Sequence, residues 1–208
     1  SVCGYFVAFI LGLLGAGAGA DAADDPAQFT ADCYVDYVST SVLAPMGILN
    51  ADTAPSDDTQ TLNYSYPGAG STVTYEDRTL LAGGEGWWLS ADELAKFLHG
   101  VRTNDSVLSP QTRELMRDGF LGWNNPDGTG YDWSAGMFGT YYNHGGDLSN
   151  LNTVIMDFPN TVQVSLLLNS DWGSDVPHGN AYQAELLKRA FENAWTEITI
   201  AGTALDDS

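Results

Sequence analysis

Residues that could take part in chemistry concentrate in the stretch 142–147, whose sequence is Tyr-Asn-His-Gly-Gly-Asp. Glycines within a strand commonly mark the close approach of a ligand or of another backbone. We therefore expect His144 to lie at the end of a strand that faces a cleft, with Gly145 and Gly146 forming the cleft wall. The alternative is a partly buried strand histidine that has no catalytic part.

Other residues that could hold a metal or a redox centre are scattered along the chain. His99, His144 and His178 are joined by no HExxH or carboxylate-histidine spacing. Cys3 and Cys33 form no CxxC pair, so buried thiols are expected, and one disulfide between them is the alternative in an oxidising compartment. The sequence therefore predicts no metal and no cofactor.

The composition indicates a folded and strongly acidic protein. The chain has 208 residues, of which 44% are hydrophobic, and this is enough to build a core. Its 27 acidic and 7 basic residues give a formal charge of -20, which would repel a polyanion, so nucleic acid is excluded as a partner. An acidic surface also suits salty or extracellular surroundings, and we expect an extracellular or periplasmic location.

Helices are predicted in the first 120 residues. The apolar run 5–14 lacks the basic flank of a signal peptide, so a buried helix is expected there. Asp25 and Pro26 supply the N-cap and first position of a second helix, which should stop before Pro45. Residues 50–80 are rich in Asp, Thr, Ser, Gly and Pro and predict a long loop. Ser90 and Glu93 form a capping box that starts a further helix, and Pro110 opens another.

The pattern changes to strands after residue 130. Residues 162–168 alternate in polarity, and a turn at Pro159 and Asn160 separates them from 153–156, which predicts a β-hairpin. Two more strands are expected at 133–138 and 140–144, and an amphipathic helix at about 181–195. The fold class is therefore α+β, with helices in 1–49 and 81–120, an antiparallel sheet within 130–170 and a terminal helix at 181–196, all in one domain.

The order of these segments resembles the serine hydrolases of the β-lactamase and penicillin-binding-protein type. Residues 37–47 are similar to the helix end "EPLGM" of that family, and residues 82–98, AGGEGWWLSADELAKFL, are similar to its "AGGL-S-A-DLARFL" segment. Residues 4–9 resemble the helix that follows the family's Tyr-x-Asn motif. Residues 142–147 resemble its third motif, in the variant with His-x-Gly in place of Lys-Thr-Gly.

The resemblance implies an incomplete β-lactamase-like or transpeptidase-like fold, with 1–208 as the C-terminal portion of one domain. It implies that the Asp147 N–H supplies half of an oxyanion hole and that His144 takes the place of the family's lysine. Tyr142, Gly145 and Gly146 would then border the substrate, a small ester, amide or peptide. Trp87 and Trp88 could line an acyl pocket, but aromatic core residues need no such role, and core packing is the favoured interpretation.

The family's nucleophile motif is missing from these residues. Glu93 and Glu185 stand three positions before Lys96 and Lys188, so the chain contains no Ser-x-x-Lys. The family's tyrosine would fall just before Ser1, with Val2 in the place of its asparagine. Tyr141-Tyr142-Asn143 has the Tyr-x-Asn form but is interpreted as coincidence.

Three hypotheses follow from the sequence. In the first, the chain is the C-terminal part of a hydrolase whose serine lies upstream, and the missing N-terminal segment is its partner. In the second, it is a catalytically inactive binding or interaction domain with the same fold, which Val2 favours. In the third, it is a secreted all-β domain behind a signal peptide.

Overall fold

The computed structural model of the chain describes residues 25–54, 63–64, 76–123, 135–136, 139–148, 150–158, 161–170 and 180–206. Two compact units are present: Ser1–Leu62 with Val73–Ser109, and Asn63–Thr72 with Pro110–Ser208. The described residues contain four α-helices and a three-stranded antiparallel sheet, so the predicted α+β class is confirmed. The helix predicted at 5–14 lies outside the described residues.

In the first unit, helix α1 (Pro26–Tyr37) begins where the sequence predicts. The Asp25 carboxylate accepts hydrogen bonds from the N–H groups of Ala27 (3.0 Å) and Gln28 (3.2 Å). The α-helix ends at Tyr37, earlier than expected, but helical backbone continues through a π-helical turn (Val38–Leu43) and a 3-10 turn (Ala44–Met46). Pro45 is accommodated because it stands in the first turn of the 3-10 segment, where no N–H donor is needed. Cys33 on α1 is a half-buried free thiol.

Helix α2 (Ala91–Thr103) packs against this helix end. Its capping box is confirmed, since the Ser90 hydroxyl accepts from the Glu93 N–H at 3.2 Å and the Glu93 carboxylate accepts from the Ser90 N–H at 2.9 Å. Gly100 permits the close contact, because a Cβ there would lie 2.5 Å from the Met46 side chain. The Asn104 amide then donates to the Pro45 carbonyl at 3.0 Å.

The predicted loop at 50–80 is described at 50–54, 63–64 and 76–80. Asp52 forms an isolated antiparallel bridge with Trp88, and the Arg78 N–H donates to the Thr53 carbonyl at 2.9 Å. Thr79–Leu81 adds a short 3-10 turn. The first end of this loop therefore contacts the segment that leads into α2, and the two ends contact each other. Trp87 lies half-buried in that segment, with its indole N–H donating to the Ala82 carbonyl at 2.9 Å.

In the second unit, helix α3 (Pro110–Asp118) precedes five strands. Strands β1 (Ala135–Gly136) and β2 (Gly139–Thr140) form a small hairpin within the predicted strand region. Strands β3 (Tyr142–Leu148), β4 (Leu151–Asp157) and β5 (Gln163–Leu168) form the main sheet in that order. The predicted hairpin is confirmed by the pairing of β4 with β5.

Two predicted boundaries in this unit are wrong. The strand expected at 140–144 is broken at Tyr141, and β3 continues to Leu148, so His144 lies inside the strand and not at its end. The terminal helix, α4 (Asn180–Asp206), extends well beyond Trp195. Residues 196–206 contain no proline, so nothing in the backbone chemistry stops the helix at Trp195.

The core of the second unit lies between the main sheet and α4. Its fully buried members are Tyr141, Val154, Met156, Phe158 and Ala184, and Phe191 packs against them. The rings of Phe158 and Phe191 are stacked with centroids 4.3 Å apart. No described helix is long and apolar enough to cross a membrane.

Candidate functional site

Strand β3 carries all five predicted site residues and forms one edge of the main sheet. In its register, Tyr142 is opposite Asp157, His144 opposite Ile155 and Gly146 opposite Thr153. Side chains alternate between the two faces of a sheet. Tyr142, His144 and Gly146 therefore share one face, whereas Gly145 and Asp147 lie on the face that α4 covers.

The hydrogen-bonding pattern of β3 follows from its connection to β4. Leu148 and Leu151 are register partners, so the connection has two residues, and Asn150 within it has the positive φ (60°) typical of such turns. The pair that flanks a two-residue turn exchanges hydrogen bonds, and every second pair beyond it does so too. Gly146, His144 and Tyr142 consequently bond to β4.

The peptide groups of Asn143, Gly145 and Asp147 point the other way, toward the outer edge of β3. The hydrogen bond from the Phe158 N–H to the Val162 carbonyl (2.9 Å) supports this alternation. It shows that the backbone N–H and C=O groups of even-numbered β4 residues point toward β5, so those of odd-numbered β4 residues point toward β3. No strand within the described residues pairs with this edge of β3. The Asp147 N–H is therefore directed away from β4, toward the edge of β3 that no described strand pairs with.

The side chains of His144 and Asp147 do not form a pair. Both are exposed, and they lie on opposite faces of β3. Neither side chain takes part in a hydrogen bond, ion pair or ring contact among the described residues. If the two residues act together, Asp147 can contribute only its backbone, while His144 contributes its imidazole.

A contact with the neighbouring strand explains why position 146 is a glycine. A Cβ at this position would lie 2.7 Å from the Thr153 hydroxyl oxygen on the neighbouring strand. The lack of a side chain at 146 thus makes room for Thr153, and close approach of a ligand is not needed to explain it. Tyr141 and Asn143, the outer members of the Tyr-x-Asn sequence, are buried, and the Tyr141 hydroxyl donates to Glu192 at 3.1 Å.

A cluster that the sequence did not predict surrounds Tyr142. The Arg117 guanidinium carbon lies 4.4 Å from the centroid of the Tyr142 ring, and Nη1 of Arg117 donates to Asp157 Oδ2 at 3.0 Å. Asp157 is only 3% exposed and also accepts from the Gln163 amide at 3.2 Å. Arg117 thereby fixes α3 to the face of the sheet that carries His144.

Two aromatic rings complete this cluster. The ring centroids of Phe120 and Trp123 each lie 5.9 Å from that of Tyr142, with interplanar angles of 33° and 60°. Distances of this size are favourable for aromatic pairs. We call Arg117, Phe120, Trp123 and Tyr142 the aromatic cluster; all four are half-buried.

Phe120 has an unusual backbone conformation. Helix α3 ends in a Schellman motif, with the Leu121 N–H bonded to the Met116 carbonyl (2.9 Å) and the Phe120 N–H to that of Arg117 (3.3 Å). The left-handed position normally occupied by glycine is taken by Phe120, with φ 50°. This conformation costs a residue with a side chain about 1–2 kcal/mol. A single aromatic contact contributes about 0.5–1.5 kcal/mol and offsets this cost at best.

On the opposite face of the sheet, buried amide groups face α4. Gln183 is fully buried, and neither of its amide atoms has a hydrogen-bond partner among the described residues. The side-chain oxygen of Asn152, which is 3% exposed, has none either. These groups are separated from His144 by the sheet itself, so they do not belong to the same site.

Metal ligation finds no support in the described part of the chain, where no three His, Cys, Asp or Glu side chains cluster. Comparison with protein-family models, curated proteins and solved structures yields no match.

Proposed function

We propose that this chain is the C-terminal part of a serine hydrolase of the β-lactamase-like type. It would act on a small ester, amide or peptide through an acyl-enzyme whose serine lies upstream of Ser1. The observation that carries the proposal is the direction of the Asp147 N–H, which points away from β4 toward the edge of β3 that no described strand pairs with, three residues after the exposed His144. That relation is the one the resemblance implies for an oxyanion donor and the group replacing the family's lysine.

In the proposed reaction, the serine oxygen attacks the substrate carbonyl carbon and loses its proton to a neighbouring base. The carbonyl oxygen becomes an oxyanion, which accepts a hydrogen bond from the Asp147 N–H. Collapse of the intermediate breaks the bond to the leaving group, which takes up the proton, and water then hydrolyses the acyl-enzyme. His144 would hydrogen-bond the family's tyrosine or a carboxylate of the substrate.

The role of Asp147 can be tested by separating its backbone from its side chain. Because the Asp147 N–H makes no bond to β4, proline is tolerated there as it is at strand edges. In the protein that includes the upstream segment, Asp147→Ala should retain ester hydrolysis. Asp147→Pro should lower kcat about 10²–10³-fold, the usual effect of losing one oxyanion donor.

Equal rates for these two variants, each folded as judged by its melting temperature, would rule out the oxyanion role. The second candidate function is an inactive binding domain with the same fold, which Val2 in the position of the motif's asparagine favours. For that candidate neither variant affects any hydrolysis, because the unaltered protein hydrolyses nothing.

A further inference from the structure

The aromatic cluster has features that its role in packing does not explain. Phe120 holds a left-handed backbone conformation although glycines stand directly before it and two residues after it, at 119 and 122. Strained backbone of this kind persists where the surroundings enforce it and is frequent at ligand sites. The rings of Phe120 and Trp123 both contact Tyr142 but make no ring contact with each other among the described residues.

Arg117 adds a charge to this surface. Its side chain is 38% exposed and lies over the Tyr142 ring, and within the described structure only Nη1 donates a hydrogen bond, to Asp157. A guanidinium has five N–H donors in a planar fork that matches a carboxylate. Donors therefore remain beside the aromatic rings, in a protein whose net charge of -20 otherwise repels anions.

The cluster also lies next to the candidate catalytic strand. Tyr142 and His144 are two residues apart on β3 and share one face of the sheet, so they are about 7 Å apart along the strand. A ligand held by the cluster would therefore reach the exposed imidazole of His144 without crossing the sheet.

We propose that the aromatic cluster binds an aromatic carboxylate group, with its ring between Phe120 and Trp123 and its carboxylate on Arg117. Binding by itself does not require catalysis, but the assignment of this group to the substrate rests on the proposed function. The substrate class then narrows to esters, amides or peptides that carry an aromatic ring and a carboxylate close to the scissile bond.

The test is an NMR titration of the 208-residue chain with phenylacetate, following the indole N–H of Trp123 and the guanidinium N–H signals of Arg117. Acetate lacks the ring and benzyl alcohol lacks the charge, so both serve as control ligands. We expect phenylacetate to shift both signals with a Kd of roughly 1–10 mM, the range of a small fragment. Each control ligand should bind about tenfold more weakly, since each loses one of the two contacts.

Two substitutions separate binding from folding. Phe120→Gly relieves the left-handed strain, so it should leave the melting temperature unchanged or higher while weakening phenylacetate binding about fivefold to tenfold. Phe29→Leu, on α1 in the other unit, is the control and should leave binding unchanged. Wild-type affinity in Phe120→Gly, or no shift of either signal with phenylacetate, would overturn the proposal.

The titration and the labelling with a serine-reactive probe test the binding site and the proposed function separately. If the protein binds phenylacetate but no serine-reactive probe labels it, the proposed binding site stands and the proposed hydrolase function is wrong. If the probe labels the protein but phenylacetate does not bind, the hydrolase function stands and the proposed binding site is wrong.

Discussion

Removal of the Arg117 guanidinium should destabilise the second unit by about 2 kcal/mol. The change leaves the Asp157 carboxylate, which is 3% exposed, without the cation bonded to it at 3.0 Å. Loss of one partner of a fully buried pair costs about 3–5 kcal/mol. Because Arg117 is 38% exposed, water reduces the cost of the ion pair to about 1–2 kcal/mol. Loss of the contact with the Tyr142 ring adds about 0.5–1 kcal/mol.

Substitution of Asp157 tests this reasoning more sharply than substitution of Arg117, because the sign of its effect on the unfolding free energy should depend on whether Arg117 is present. Asp157→Asn should destabilise the wild-type protein, since it breaks the ion pair. In the Arg117→Ala background the same change should stabilise the protein, because a buried amide costs less than an unpaired buried charge. Urea unfolding of the four proteins of this cycle gives both values.

The exposed pair of Lys96 with Asp92 is the matched control. Its side chains are 48% and 74% exposed, so Lys96→Ala should change the unfolding free energy by less than about 0.5 kcal/mol. If Asp157→Asn destabilises the Arg117→Ala protein as much as it destabilises the wild type, the buried-charge argument is refuted.

Three further predictions concern other parts of the chain. Gln183→Leu removes two buried, unsatisfied amide atoms and should raise the unfolding free energy by about 1 kcal/mol; a loss of that size in urea unfolding would show that the amide has a partner. Raising KCl from about 0.1 M to about 1 M shortens the screening length from about 10 Å to about 3 Å, so the melting temperature of this chain of charge -20 should rise, and a fall would contradict the expectation. Hydrogen bonds from the Thr79 hydroxyl and N–H lower the pKa of the Asp77 carboxyl. The ionised carboxylate therefore stabilises the folded protein above the usual pKa of an aspartate, and this stabilisation is lost as the pH falls through the lowered pKa. Asp77→Asn should therefore lose less stability than the wild type between about pH 5 and pH 2, measured by urea unfolding, and an equal loss would refute this.

Local signals were enough to predict several elements of the fold. Asp25 with Pro26 and Ser90 with Glu93 mark helix starts because a cap involves residues only two or three positions apart. The β4–β5 hairpin followed from the alternation of residues 162–168 and from the turn at Pro159 and Asn160 that separates them from 153–156. Helix ends were less predictable: α4 passes Trp195 because residues 196–206 contain no proline that would stop the helix.

The candidate site was predictable only along its own strand. The stretch 142–147 does lie on one strand, but the extension of that strand to Leu148 depends on its pairing with β4, which the local pattern of two glycines does not reveal. The cluster of Arg117 and Asp157 around Tyr142 joins residues 40 positions apart in sequence. The Gly-Phe-Leu-Gly-Trp sequence at 119–123 is a local signal for this cluster that the sequence predictions did not include, since glycines of this spacing are typical of a helix end.

The most direct test of the proposed function is labelling with a serine-reactive fluorophosphonate, read by mass spectrometry. Two samples are compared, the 208-residue chain and the protein extended through its upstream gene sequence. Acyl transfer needs an activated nucleophile, and loss of the nucleophile alone costs about 10⁶ in turnover in other hydrolases. We predict labelling of the extended protein alone, at one serine upstream of Ser1. Labelling of the 208-residue chain at one of its own serines, or of neither sample, would contradict the proposal.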